Sequence, residues 1–183
     1  MGKSTIAGMF RHHGVPTHDS DQTVHDLMKP NGAAFPAIAH IFPEVIKDNE
    51  IDRRALGALV FNSPKKKQAL EAILHPMVRS LSNEFVRQNR FQGRRLIVLD
   101  IPLLFETGAD RRVDYTVCVS APYYIQKRRV MQRQGMTEEK LKSILQSQMP
   151  DAFKRCCSDF IINTARSKAQ SMRDVKKIIA RVI

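Results

Sequence analysis

Long apolar runs are missing from this 183-residue sequence. None approaches the roughly 20 residues that a membrane-spanning helix requires, and the chain does not open with the charged-then-apolar order of a secretory signal. A cytoplasmic protein with no membrane partner is therefore expected. Cysteine is sparse: Cys118, Cys156 and Cys157 form neither an even disulfide framework nor a metal-ligand spacing, as suits a reducing compartment. The adjacent pair Cys156 and Cys157 reads as packing. Aromatic residues make up only 7% of the chain, so it offers no evident stacking platform, and no zinc-finger or RRM signature occurs. Internal repeats, low-complexity tracts and Gly/Ser linkers are absent as well. His12, His13 and His75 stand in no metal-ligand spacing.

What the chain has in excess is positive charge. Thirty Lys and Arg against eighteen Asp and Glu give a formal charge of +12, which attracts polyanions. The basic residues are spread over several segments, so a nucleotide with several phosphates suits this charge as well as a nucleic acid does, and nucleic acid is not expected as the main ligand. The length and the 43% hydrophobic content fit one compact domain with room for a small inserted subdomain.

Short apolar runs alternate with longer amphipathic stretches. Strands are predicted around Val15 to Thr17, Arg95 to Leu99, Tyr115 to Val119 and Phe160 to Ile162. Helices are predicted over Asp21 to Met28, Ala33 to Ile41, Arg53 to Phe61 and Lys65 to Asn89, then Tyr123 to Gln134, Thr137 to Gln148 and Ser167 to Arg181. Ser63-Pro64 supplies a cap and a first-position proline for the longest of these, and Thr137 with Glu138 and Glu139 caps another. Short buried strands joined by helices imply an α/β fold whose parallel sheet is covered on both faces. Ligands then bind beyond the carboxyl ends of the strands.

The chemistry begins at the first residues, Met1-Gly2-Lys3-Ser4-Thr5. In a phosphate-binding loop of pattern G-x-x-x-x-G-K-S/T, glycine lets the backbone approach phosphate, lysine reaches the β and γ oxygens and the hydroxyl meets magnesium. Gly2, Lys3 and Ser4 match its second half; an ordinary helix start is the competing reading. Leu96-Ile97-Val98-Leu99 runs into Asp100, a carboxylate at a strand end that suits a magnesium site, or else an aspartate that begins a turn before Pro102. Asp19-Ser20-Asp21 could orient an acceptor hydroxyl, or cap the following helix through Ser20 or Asp21. Arg129 and Arg133, four apart on a predicted helix, share a face that could close over a transferring phosphoryl group, or form a solvated basic face with Lys127 and Arg128.

Taken in order, these pieces resemble the dephospho-CoA kinase family over almost the whole chain, from Gly2 to about Asn163. The resemblance rests on Gly2-Lys3-Ser4-Thr5; Gly14-Val15-Pro16 leading to Asp19-Ser20-Asp21; Leu74-His75-Pro76 with Arg79; Ile101-Pro102-Leu103-Leu104-Phe105-Glu106; Gln126 with Arg129 and Arg133; and Asp159-Phe160-Ile161-Ile162-Asn163. It implies a P-loop kinase of three-layer α/β type, with a core of about residues 1–29, 91–122 and 158–183, a helical acceptor region of about 30–90 and a lid of about 123–150. The implied reaction moves the γ-phosphate of ATP, with Mg2+, onto the ribose 3′-hydroxyl of dephospho-CoA.

In that reading Asp21 is the base or orienter. Gly2, Lys3, Ser4 and Thr5 hold the ATP phosphates, Ser4 and Asp100 serve magnesium, Arg133 and Arg129 clamp from the lid, and Asn163 lies near adenine. Asp19, His75, Arg79, Pro102, Leu103 and Glu106 fall on the acceptor side. The first strand and half of the phosphate loop of such a fold are not in the sequence, so a full-length relative is expected to begin roughly a dozen residues earlier. Gly57 and His25 stand where family members commonly carry arginine. A truncated, inactive remnant is the alternative to an active kinase; a nucleoside monophosphate kinase and a basic nucleic-acid-binding module are the others.

Overall fold

The computed structural model describes residues 2–133 and 135–183. Met1 and Gln134, the latter the expected end of a helix, lie outside the described residues. In chain order the elements are α1 (Lys3–His12), β1 (Thr17–Asp19), α2 (Ser20–Leu27), α3 (Phe35–Ile41), β2 (Ile46–Lys47), β3 (Glu50–Ile51), α4 (Arg53–Phe61) and α5 (Pro64–Phe91). There follow β4 (Val98–Asp100), β5 (Val117–Ser120), α6 (Tyr123–Met131), α7 (Glu138–Gln146), α8 (Asp151–Cys156), β6 (Phe160–Asn163) and α9 (Lys168–Val182). Strand β1 pairs with β4, and β5 runs parallel to β6 in the register Val117 to Phe160 through Ser120 to Asn163. The chain divides into two compact units, His18–Leu99, and Met1–Thr17 with Asp100–Ile183.

The His18–Leu99 unit is built on α5, against which α2, α3 and α4 pack. Its core gathers Leu27, Ala34, Ile38, Phe42, Val45, Leu56 and Leu74, all nearly or fully removed from water. Local chemistry sets the element ends. Asp52 caps α4 by accepting from the amides of Arg54 and Ala55, and Ser63 caps α5 ahead of Pro64. Pro76 is carried inside α5 without ending it. Gly32 bonds to the carbonyl of Lys29, and any Cβ there would run into the backbone carbonyls of Asp26 and Leu27. The sequence reading did not include the hairpin of β2 and β3, which turns through Asp48 and Asn49, both left-handed at φ 47° and 60°.

In the other unit, α9 packs on β6 and on α1, while α8 packs on β5. Its apolar interior includes Ile6, Phe10, Cys118, Ile125, Ile162, Val175 and Ile178. Asp159, at the foot of β6, accepts from both the amide and the hydroxyl of Thr116 at 2.7 and 2.8 Å, which holds its pKa below the ordinary carboxylate value. Helix α6 ends earlier than expected, at Met131 with Gln132 as its cap. The amide of Arg133 bonds back only three residues, to Val130, and Gly135 sits at φ 73°, so the chain turns instead of extending the helix. Short helix α8, which the sequence reading left out, follows Pro150.

Candidate active site

Gly2 is the N-cap of α1 and lies in the left-handed region, φ 96° and ψ 20°. A Cβ there would meet nothing closer than 3.6 Å, the Cγ2 of Thr164, so backbone conformation rather than space demands the glycine. No side chain caps α1 and no acidic residue lies in its first turn. Its leading amides and the positive end of its dipole therefore face outward without an acidic neighbour in that turn, the arrangement that receives an anion. Ser4 and Thr5 are exposed in this turn.

Lys3 and Asp100 meet at 2.8 Å. The Asp100 side chain is 4% exposed and that of Lys3 35%, so a carboxylate delivered by the end of β4 holds a half-buried ammonium beside the start of α1. Two sequence-predicted residues thus come together, with Ser4 next in the chain. Among the described residues no group of three or more His, Cys, Asp or Glu side chains is placed to hold a metal by itself.

Arg129 lies on α6 and forks onto Thr164, donating Nη1 to the hydroxyl at 3.0 Å and Nη2 to the carbonyl at 2.8 Å. Because Thr164 is also what a Cβ at Gly2 would meet first, this fork places a guanidinium close to the start of α1. Thr164 is fixed in turn by donating its own amide to Ser120 O. Asn163 ends β6 and accepts from the amide of Ala165 at 2.9 Å. Arg133 does not share a helical face with Arg129, because α6 has already ended; it is exposed in the turn beyond.

In the His18–Leu99 unit, Asp19 is itself the cap of α2: its side chain accepts from Gln22 N at 3.0 Å and its carbonyl from the Thr23 hydroxyl at 2.9 Å. The sequence reading assigned this duty to Ser20 or Asp21. With Asp19 so engaged, Asp21 sits exposed in the first turn of α2. His75 and Arg79 are exposed one helical turn apart on α5. His25, one of the departures noted above, meets Nη1 of Arg53 at 3.0 Å through its Nδ1. A guanidinium has only donors, so that nitrogen accepts and carries no proton in this contact.

His18 lies against the Phe85 ring at 5.4 Å. Burial lowers its pKa against the opposing pull of Asp19. The cavity beside it, about 450 Å³, is lined among others by Thr23, Asp26, Glu84 and Phe85. A second, of about 650 Å³, opens between α6 and α7 around Lys127, Glu138 and Leu141. Neither is lined by Lys3, Ser4 or Asp100.

The loop after β4 carries Pro102 and Leu103, both exposed, with Leu103 at φ 53°. Glu106 turns inward. Its Oε1 lies 2.7 Å from Lys154 Nζ and accepts from Met149 N at 2.8 Å. Burial pushes the Glu106 carboxyl up, and the bonds from Lys154 and from the amides outweigh that, so it titrates below its ordinary value. The sequence reading had singled out neither Arg53, Lys154 nor Thr164.

Comparison with known proteins supplies the remaining finding. The family model described as dephospho-CoA kinase matches residues 1–170. A dephospho-CoA kinase of Mesorhizobium japonicum is 47% identical over 179 residues, 98% of this chain and 90% of that protein. One from Paramagnetospirillum magneticum is 49% identical over 155 residues, 85% of this chain and 73% of that protein. Among solved structures, a crystal structure from Thermus thermophilus superposes with a TM-score of 0.83 at 34% identity, covering 100% of this chain and 92% of the other. A dephospho-CoA kinase from Campylobacter jejuni gives 0.73 at 28% identity, with 99% and 91% covered.

Proposed function

The chain belongs to the dephospho-CoA kinase family, and on that premise we propose that it transfers the γ-phosphate of ATP to the ribose 3′-hydroxyl of dephospho-CoA, giving CoA and ADP. The observation that carries this reading is the family match along nearly the whole chain. The outward-facing start of α1, flanked by Lys3 and by the Arg129 fork, is the local geometry a triphosphate needs. Phosphoryl transfer asks mainly for positioning and charge stabilisation.

Each side chain then has a task. Lys3 binds the β and γ oxygens, the amides after Gly2 cradle phosphate, and Arg129 and Arg133 neutralise the equatorial oxygens. Asn163 borders the adenine. Asp21, exposed because Asp19 takes the cap, orients the 3′-hydroxyl and receives its proton as the new P–O bond forms and the bond from the γ-phosphorus to the β,γ-bridging oxygen breaks. Asp19, by holding the start of α2, fixes where Asp21 points. His75, Arg79, Pro102, Leu103 and Glu106 serve the acceptor side.

Magnesium fits the residues present, since the Ser4 hydroxyl and the Asp100 carboxylate are both hard oxygen donors, and Mg2+ is usually held by one or two carboxylates together with substrate phosphates. When bound it neutralises phosphate charge. Residues 123–150 act as the lid and residues 30–90 as the acceptor region, in a cytoplasmic enzyme.

The test is product formation from ATP, Mg2+ and dephospho-CoA, followed by ADP release and by mass of the CoA formed, with nucleoside monophosphates as rival acceptors. Phosphorylation of dephospho-CoA that depends on Lys3 and Asp21 is expected. Turnover of a nucleoside monophosphate in its place, or none at all, would reject the reading.

A further inference from the structure

The side chain of Glu106 is 17% exposed, although the residue as a whole lies at the surface. One carboxylate oxygen holds two partners at once, Lys154 Nζ at 2.7 Å and the amide of Met149 at 2.8 Å. Lys154 is itself only 20% exposed and belongs to α8. That helix is anchored on β5, where the Ser120 hydroxyl donates to Asp151 at 2.7 Å. Met149 lies just past α7, so Glu106 reaches both the anchored helix and the segment that leads into it.

The loop that carries Glu106 needs such a hold. Thr107 N bonds to Leu103 O and Ala109 N to Leu104 O, winding residues 103–109 into a tight turn. The Thr107 hydroxyl adds a second bond to Leu103 O at 2.9 Å. Leu103 sits within this turn at φ 53°, a conformation that disfavours a side chain and persists where the surroundings over-determine it. The Glu106–Lys154 pair ties this turn to a distant element, with both side chains more than three-quarters buried.

We infer that Glu106 is a positioning residue: through Lys154 and Met149 it holds the Pro102–Leu103 turn in the shape that receives dephospho-CoA, and it joins that turn to the α7–α8 segment. The assignment of the acceptor rests on the kinase reading above; the latch itself rests on geometry within one unit.

Kinetics of Glu106→Gln, Lys154→Met and the double variant test it, with thermal melts to show that each folds. Glu106→Gln keeps an acceptor for Met149 and loses the ion pair. Each single variant should raise the KM for dephospho-CoA roughly tenfold, the scale of one lost charge-assisted hydrogen bond, with the KM for ATP at its wild-type value. The double variant should be no worse than either single one. If Glu106→Gln raises that KM and Lys154→Met does not, Glu106 touches the acceptor itself and the inference is overturned; it is equally overturned if neither variant moves it. Should the wild-type protein leave dephospho-CoA unphosphorylated, the kinase reading falls, and hydrogen exchange judges the latch separately. Faster exchange of the amides of 103–109 and Met149 in Lys154→Met is then the expected result, and unchanged exchange overturns the latch.

Discussion

Replacing Lys3 by methionine separates what the Lys3–Asp100 pair does for the fold from what it does for the reaction. At 2.8 Å and an effective dielectric of about 20, the attraction between the two charges is about 6 kcal/mol. Methionine keeps most of the apolar stem but leaves a carboxylate that is only 4% exposed without this partner. Stripping one partner from a fully buried pair costs about 3–5 kcal/mol, and the 35% exposure of Lys3 lowers that to about 2 kcal/mol, because water already screens the ammonium. For a chain of 183 residues this is a fall in Tm of about 4–8 °C, read by calorimetry. Asp100→Asn in the same chain removes the buried charge that Lys3 had balanced, so the double variant should recover most of the lost Tm. It should not recover turnover if Lys3 meets the phosphates as proposed; kcat should then stay down by about a hundred- to a thousandfold. A Lys3→Met protein that melts within a degree of wild type would refute the energetic argument, and full turnover in the double variant would refute the assignment to phosphate.

Asp21→Asn should lower kcat about a hundred- to ten-thousandfold while the KM for dephospho-CoA changes little and Tm barely moves, since the residue is exposed; steady-state kinetics beside a melt would show it. Asp19→Ala removes the side-chain cap of α2 and should destabilise by about 1 kcal/mol, seen as a lower urea midpoint. Asp52, bonded first by Lys47 and then by the amide of Ala55, has its pKa lowered from 3.8 to about 2. A depressed folded pKa contributes stability that is fully present above the unfolded value and lost as pH falls through the folded one. The difference in urea midpoint between wild type and Asp52→Asn should therefore hold steady above about pH 4 and shrink toward pH 2; a difference that grows on acidification would contradict the assignment.

Features that depend on a few neighbouring residues were readable in the sequence. Helix α4 spans Arg53–Phe61 as expected because its cap, Asp52, stands beside its first turn. The Ser63-Pro64 and Thr137 starts held for the same reason. The parallel pairing of β5 with β6 follows from two short apolar runs separated by helices. The sequence reading placed the cap of α2 at Ser20 or Asp21, one or two residues too late, because spacing alone does not fix where a strand hands over to a helix. The choice was made by where β1 ends, at Asp19, two residues later than expected, with proline at position 16 supplying no amide for the ladder. The β2–β3 turn did carry a signal, Asp48-Asn49 between two isoleucines, since these residue types tolerate the left-handed region that both adopt.

What the sequence could not show is pairing across long separations. Arg129 and Thr164 are 35 residues apart, Met149 and Glu106 are 43 apart, and no local pattern marks either as a partner. The consequence is chemical as well as topological. A motif identifies Arg129 as a cation and Glu106 as an anion, but the fold decides that the first is spread over a threonine beside Gly2 and that the second is already neutralised by Lys154. An arginine held by two bonds is already ordered, so in the proposed role it would spend less ordering entropy on binding a nucleotide. A glutamate whose charge is satisfied inside the protein has little left to offer a ligand directly, which is why the role inferred for Glu106 passes through the turn it holds. The same residue types, read only as charges along a sequence, would have been given the same role.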